Sequence, residues 1–303
     1  MAGSQVEGFA LIVGAAGGIG REVALTFAEA GLKGALVADV DEKGATQVSE
    51  QSKALASNPF YQCLSTRVDV TDVASVDAMV KLAVDQFGRI DYCINAFGVS
   101  VSSPTLLTPF PTNGYVLTLD NNQVDVQSYV PFDQTDPTEY DRVLGINAKG
   151  MYLVIRAVAK VMQSQDPSIV NLGRHGSRDV GRGAIVNVSS MMAHVAVNAK
   201  LPYTTSKHAI TGITKAAVMD YKPFGIRINQ VCPIWVKTPM FEEECRKVPQ
   251  TPQFIEALSP IKRPIEPDEV AAACLYLCNP RSVPTNGASL TMDTGLTAGP
   301  MIG

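Results

Sequence analysis

Phe9-Ala10-Leu11-Ile12-Val13-Gly14-Ala15-Ala16-Gly17-Gly18-Ile19-Gly20 is the stretch that decides how this chain folds. Its first five residues form a continuous apolar run, as expected of a strand buried on both faces. The run passes directly into a glycine-rich turn. Glu22 to Ala30 then carry apolar residues at helical period, closed by Gly31. Strand, glycine turn and helix together make a cradle for phosphate. Glycine permits a tight turn and close backbone approach, and the helix N-terminus offers unpaired N–H groups and the positive end of a dipole to a pyrophosphate. A glycine turn alone is a weak signal; here the strand before it and the helix after it supply the context it requires.

Working outward, a second strand, Ala35 to Ala38, ends at Asp39. This acid follows the glycine turn by roughly the separation at which a carboxylate meets the adenosine ribose hydroxyls of NAD. A 2′-phosphate would be repelled there. No Arg or Lys lies between Gly14 and Gly20, and Val40-Asp41 follow Asp39 in place of a base, so NAD is expected rather than NADP. The competing reading of Asp39 is an acid at the start of the next helix. The rhythm then repeats: a predicted helix over Lys43 to Ala56, a strand over Cys63 to Val70, a helix over Val73 to Phe87 stopped by Gly88, and a strand over Tyr92 to Asn95. Strands alternating with helices imply βαβ units, hence an α/β fold with a parallel sheet covered on both faces. Ligands of such sheets sit outside the carboxyl ends of the strands. Asp69 and Asn95 stand at such ends and are candidate contacts to the adenosine half of a dinucleotide, with a turn cap as the alternative for each.

Between Gly98 and Pro137 the rhythm breaks. Two β-rich runs, Tyr115 to Leu119 and Val124 to Val130, flank a polar tetrad and read as a hairpin. A long insertion leaving the carboxyl end of the fourth strand is expected to be functional, so 99–137 is read as a lid or pocket wall, with oligomer contact as the rival. A helical stretch follows from Thr138 through Met162 with Asn147 in its middle, a position where Asn is neutral to unfavourable without tertiary work. Gln163 to Arg182 read as a loop remote from the chemistry. Beyond a further strand, Ile226 to Val231, residues 239–262 read as a flexible flap over a site. A helix over Pro267 to Leu277 and a last strand over Ala288 to Met292 complete the pattern.

The centre of the chain holds its most chemical stretch. The apolar run Ala184 to Val188 ends in Ser189-Ser190, a loop with His194 follows, and Tyr203-Thr204-Thr205-Ser206-Lys207 opens a helical pattern. A phenol and an ammonium four residues apart lie on one helix face, about 5–6 Å between Cβ atoms. A cation beside the phenol favours the phenolate and lowers a pKa that is about 10 unperturbed, which makes an acid/base working near neutrality. Such a pair also arises by chance on solvated helices.

Composition narrows the partners. The chain has 303 residues, is 46% hydrophobic and 18% charged, and carries a net charge of −4, which argues against disorder and against a nucleic-acid footprint. A small-molecule partner is the default. The six cysteines lack C-x-x-C spacing, and Cys274 and Cys278 fall at i, i+4 among apolar residues. They read as reduced core thiols, neither metal ligands nor disulfides, which suits a cytoplasmic compartment. No secretory signal is expected at the N-terminus, and the longest apolar region, Met151 to Met162, is broken by Arg156 and Lys160, so no membrane span is expected.

Jointly these motifs resemble the short-chain dehydrogenase/reductase family over essentially the whole chain. Gly14 to Gly20 looks like the family's T-G-x-x-x-G-I-G turn, with Val13 replacing its threonine; Asn95-Ala96-Phe97-Gly98 looks like N-N-A-G, with departures at Ala96 and Phe97. Asn147 falls on the helical Asn of the catalytic tetrad, Ser190 rather than Ser189 falls on its Ser, and Tyr203 and Lys207 complete Y-x-x-x-K. Pro233 and Thr238 match P-G-x-x-x-T, with Ile234 where glycine is usual. The resemblance implies a single doubly wound (Rossmann-type) domain with a mostly parallel seven-stranded sheet and helices on both faces. It implies hydride transfer between a nicotinamide cofactor and an alcohol or ketone. Ser190 would bind the carbonyl oxygen, Tyr203 would exchange its proton, Lys207 would lower the Tyr203 pKa and bind the nicotinamide ribose, and Asn147 would hold a water linking Lys207 to solvent. The cofactor-binding candidates are Gly14, Gly18, Ile19, Gly20 and Asp39, then Asp69, Val70, Asn95 and Gly98, and finally Tyr203, Lys207, Pro233, Val236 and Thr238. No metal is implied, and a homodimer or homotetramer is. His194 lies where relatives often contact substrate, although a plain loop histidine is the simpler reading. Phe97, Met191, Met192, Val195, Trp235, Met240 and Phe241 suggest a bulky, fairly apolar substrate. The alternatives are a cofactor-binding protein of the same fold that performs a non-redox step (dehydration, isomerisation or cyclisation) or serves as a scaffold, and a pure interaction protein.

Overall fold

Alternation along β1 (Phe9–Val13) assigns the two faces of the sheet: Ala10 and Ile12 pack on one side, Leu11 and Val13 on the other. The computed structural model describes residues 6–100 and 131–299. Most of the expected 99–137 insertion, with its hairpin over Tyr115 to Val130, lies outside the described residues. After β1 come α1 (Gly18–Glu29), β2 (Gly34–Asp39), α2 (Glu42–Leu55), β3 (Gln62–Arg67), α3 (Val73–Phe87) and β4 (Tyr92–Asn95). The second half holds α4 (Pro137–Leu144), α5 (Met151–Ser164), β5 (Ile169–Asn171), β6 (Ser177–Asp179), β7 (Gly183–Val188) and α6 (Leu201–Tyr221). It closes with β8 (Ile226–Pro233), α7 (Pro239–Lys247), α8 (Thr251–Leu258), α9 (Pro267–Cys278) and β9 (Ser289–Met292).

Seven strands form one sheet in the order β3-β2-β1-β4-β7-β8-β9, every neighbouring pair parallel. This is the doubly wound Rossmann-type fold. One face is covered by α1, α2 and α9 through residues such as Phe27, Val48 and Cys274, the other by α3, α5 and α6 through Met79, Val154 and Ile210. Burial of both faces explains why the central strands are unbroken apolar runs. The chain order reverses between β1 and β4, and that reversal opens a crevice at the carboxyl ends of the strands.

Several boundaries differ from expectation for visible reasons. β3 stops at Arg67 rather than Val70: Val68 N–H still donates to the Asp39 carbonyl, but β2 ends there, and Asp69 N–H turns to the Ser75 hydroxyl instead. The long helix expected from Thr138 is interrupted by a π-helical turn, Gly145–Gly150, that carries Asn147. The loop expected over Gln163 to Arg182 contains the antiparallel β5–β6 hairpin at the amino end of the sheet; its short, mostly exposed strands show no apolar alternation. The expected flap is a helix pair, α7 and α8, anchored by fully buried Val248 and Ile255. All six cysteines are free thiols, five of them buried. Among the described residues, no helix is long and apolar enough to cross a membrane.

Candidate active site

The crevice at the β1/β4 reversal is built by glycine. Gly14 has φ +82°, and a Cβ there would lie 2.5 Å from the Phe97 backbone nitrogen; a Cβ on Gly20 would strike the Gly14 carbonyl. The turns after β1 and β4 are thus pressed together, which only these small residues permit. Beside them lies a cleft of ≈ 770 Å³ bordered by Gly14, Gly18 and Ile19, by Asp39 and Val40, and by Asp69 and Val70. Gly98, Tyr203, Lys207 and Thr238 line its other end. Asp39 does not cap α2; Asp41 does, accepting from Gly44 N–H at 3.1 Å. The Asp39 carboxylate instead accepts from Ala16 N–H of the glycine turn at 2.9 Å and from Asp41 N–H at 3.0 Å. Hydrogen bonds from the Thr71 hydroxyl and N–H hold the Asp69 carboxyl below the usual range. Backbone donors at a helix start, a carboxylate at a strand end and the valine walls Val40, Val68 and Val70 form a donor set that fits a dinucleotide.

Asn95 does not face this cleft. Its side chain is fully buried and donates to Asn187 Oδ1 at 2.9 Å, and Asn187 in turn donates to the Thr214 hydroxyl at 2.9 Å. The carboxamide joins β4, β7 and α6 internally, which corrects its placement as a contact to the adenosine half. Gly20 lies behind the turn rather than on its ligand side. Pro233 and Val236 border a second, smaller cleft of ≈ 140 Å³ with Ser190, Tyr203, Trp235 and Thr238. Ile19, Ser189, Tyr203, Thr238 and Met240 border both clefts, so the two meet at Tyr203.

At that junction β7 delivers the serines and α6 delivers the phenol and ammonium. Ser189 directs its hydroxyl to the Lys207 carbonyl, 3.5 Å away, whereas Ser190 accepts from Met192 N–H at 3.2 Å and sits near enough to the Tyr203 phenol to favour its ionised form. Lys207 is 4% exposed, and its ammonium donates to the Val188 carbonyl at 3.4 Å and lies 5.3 Å from the centre of the Tyr203 ring. Burial pushes the Tyr203 phenol up to about 12, with Ser190 opposing and Glu244 adding to the rise. Burial also brings Lys207 down to about 8. Lys207 therefore does not hold the phenol near neutrality in this structure, because removal of the phenol from water outweighs a cation that lies over the ring and donates elsewhere. Asn147 is fully buried. It clamps the backbone of Val99 with two hydrogen bonds of 2.8 Å, one donated and one accepted, and donates to the Ser206 hydroxyl at 3.0 Å. The space a Gly98 side chain would take is bounded by Asn147 Oδ1 at 3.3 Å and Lys207 Nζ at 3.5 Å. His194 is exposed and borders neither cleft.

Reading the sequence missed one polar pair in the smaller cleft: Lys200 Nζ contacts Glu244 Oε1 at 3.1 Å. No local signal joins residues 44 apart in the chain.

The family profile described as short chain dehydrogenase matches residues 8–248. The chain is 36% identical over 294 residues to short-chain dehydrogenase anuF of Penicillium roqueforti (strain FM164), covering 97% of each chain. It is 29% identical over 296 residues to levodione reductase of Leifsonia aquatica, covering 95% of this chain and 93% of that one. A crystal structure of levodione reductase superposes with a TM-score of 0.79 at 26% identity, covering 97% of this chain and 98% of that one.

Proposed function

The chain belongs to the short-chain dehydrogenase family, and on that premise we propose that it transfers a hydride between NAD and a secondary alcohol or ketone of a fairly bulky, apolar small molecule. The observation that carries this reading is the meeting of two clefts at Tyr203, flanked by Ser190 and Lys207. The larger cleft suits the dinucleotide, with Asp39 at the ribose and the carboxamide end at Thr238, where the smaller cleft bordered by Val236 begins; a bound nicotinamide would supply or accept the hydride. Ser190 hydrogen-bonds the substrate oxygen. In reduction the Tyr203 hydroxyl gives its proton to that oxygen, and in oxidation the phenolate takes the proton of the alcohol. A phenol kept protonated by burial suits the donor role at neutral pH. Lys207 binds the ribose, and Asn147 holds Val99 and the π-helical turn in place beside it. Asp39 and the valine after it favour NAD over NADP. The small cleft's Met191, Met192, Trp235, Met240 and Phe241 support an apolar substrate, and the name of the levodione reductase relative fits carbonyl reduction. The reading extends to one cytoplasmic oxidoreductase domain that assembles as a homodimer or homotetramer.

Steady-state rates on a panel of ketones and alcohols with NADH, NADPH and their oxidised forms test this. Turnover of ketones with NADH is expected. A Tyr203→Phe enzyme that keeps full activity would overturn the assignment of the acid, and a clear NADPH preference would overturn the role of Asp39.

A further inference from the structure

Lys200 occupies the N-cap position of α6, three residues ahead of Tyr203, and Glu244 projects from α7. Their side chains are 9% and 26% exposed, and both line the smaller cleft with Ser190 and Tyr203. Taking two charges out of water is offset by their attraction only when their remaining donors and acceptors are also satisfied. As a mere latch between α6 and α7, the pair would be matched or bettered by apolar side chains of similar volume. Two further observations point to a ligand. Among the described residues, the Glu244 carboxylate is hydrogen-bonded through Oε1 to Lys200, which leaves Oε2 to accept. Ala199, directly before Lys200 at the edge of the cleft, is held at φ +57°, a conformation unusual for a residue with a Cβ.

A net-neutral pair that presents ammonium donors beside a carboxylate acceptor matches one kind of substituent. A hydroxyl accepts from Lys200 and donates to Glu244. A carboxylate meets repulsion from Glu244, an ammonium meets repulsion from Lys200, and a hydrocarbon satisfies neither. We propose that Lys200 and Glu244 form a hydroxyl-recognising subsite, so that the substrate carries, on its apolar body, a second hydroxyl that takes no part in the reaction. The proposal deepens the reading of this cleft as the substrate site and rests on it.

The test uses the full chain and a matched set of bicyclic ketones: 2-tetralone, its isomers hydroxylated at each aromatic position, and the corresponding carboxylates. Trp235, the sole tryptophan of the chain, lines the cleft and reports binding by its emission without any need for turnover. At least one hydroxylated isomer is expected to bind about tenfold or more tightly than 2-tetralone, with the carboxylates weakest. In Glu244→Gln and Lys200→Met this hydroxyl preference falls toward unity, and the same ratio falls in kcat/KM with NADH. A wild-type protein that binds none of the set, or binds hydroxylated and plain ketones alike, overturns the subsite without recourse to the variants, as does a preference that survives both substitutions. Hydroxyl-selective binding without turnover of any ketone by either nicotinamide overturns the proposed oxidoreduction and leaves the subsite standing; turnover without hydroxyl preference does the reverse.

Discussion

Burial moves Tyr203 and Lys207 toward their neutral forms by opposite routes, the phenol up to about 12 and the ammonium down to about 8. For Lys207 the consequence is a stability cost at neutral pH. The unfolded chain binds its proton up to about pH 10.5, the folded chain only up to about 8, so stability gained from this group rises as pH climbs between those values. Lys207→Met is therefore expected to melt higher than wild type at pH 7, by up to about 3 kcal/mol, with the gap closing toward pH 10. Denaturant unfolding across pH 7 to 10 measures it, and a gap that widens would contradict the burial account. Tyr203→Phe keeps the shape and loses the proton: ketone reduction should fall about 10²–10⁴-fold, read as NADH oxidation, with NADH binding retained. Asn147→Ala leaves the part-buried N–H and C=O of Val99 without side-chain partners and should lower stability by about 1 kcal/mol or more in the same unfolding assay. At this scale the sequence reveals what a motif spaces along one helix or strand end, as with Ser190, Tyr203 and Lys207. It does not reveal which way a carboxamide faces. Asn95 stands at a strand end as a cofactor ligand would, and only its partner on the neighbouring strand, Asn187, turns it inward.

Helix α9 shows how element boundaries are held. Glu269 accepts from Glu266 N–H at 2.7 Å and from Arg263 through two bonds of 2.8 and 3.0 Å, which holds its carboxyl at about 2. The folded pKa is depressed, so this contribution is present above about pH 4.5 and is lost as pH falls toward 2. Glu269→Ala should destabilise the protein by about 1 kcal/mol at pH 7, and the difference should vanish in acid, as followed by thermal melts. The start of this helix at Pro267 was legible in the sequence because a proline at the first helical position acts locally. The π-helical turn at Asn147 was not, since its residues are compatible with an ordinary helix and only the demand of Val99 for two hydrogen bonds marks the site. The β5–β6 hairpin escaped for a related reason: strands of three residues with little burial carry no period.

For the molecule as a whole, α/β layering was readable from the alternation of apolar runs, but the strand order was not, because pairing partners lie far apart in the chain; the resemblance to a family supplied the number of strands and their mostly parallel direction, and the order β3-β2-β1-β4-β7-β8-β9 came from the structure. The whole fold should respond to its ligand. NADH at 100 times its Kd stabilises by about 2.7 kcal/mol, and a thermal shift larger with NADH than with equal NADPH is the expected sign of Asp39 at work. The same strand order also sets a sequence in time. Synthesis proceeds from the N-terminus, so β1 to β4 with α1 to α3 emerge first, and β4 keeps one edge open until β7 has been made. The glycine turn and the β1–β4 half of the crevice are therefore made before Ser190, Tyr203 and Lys207, and one strand edge stays open through all the residues in between.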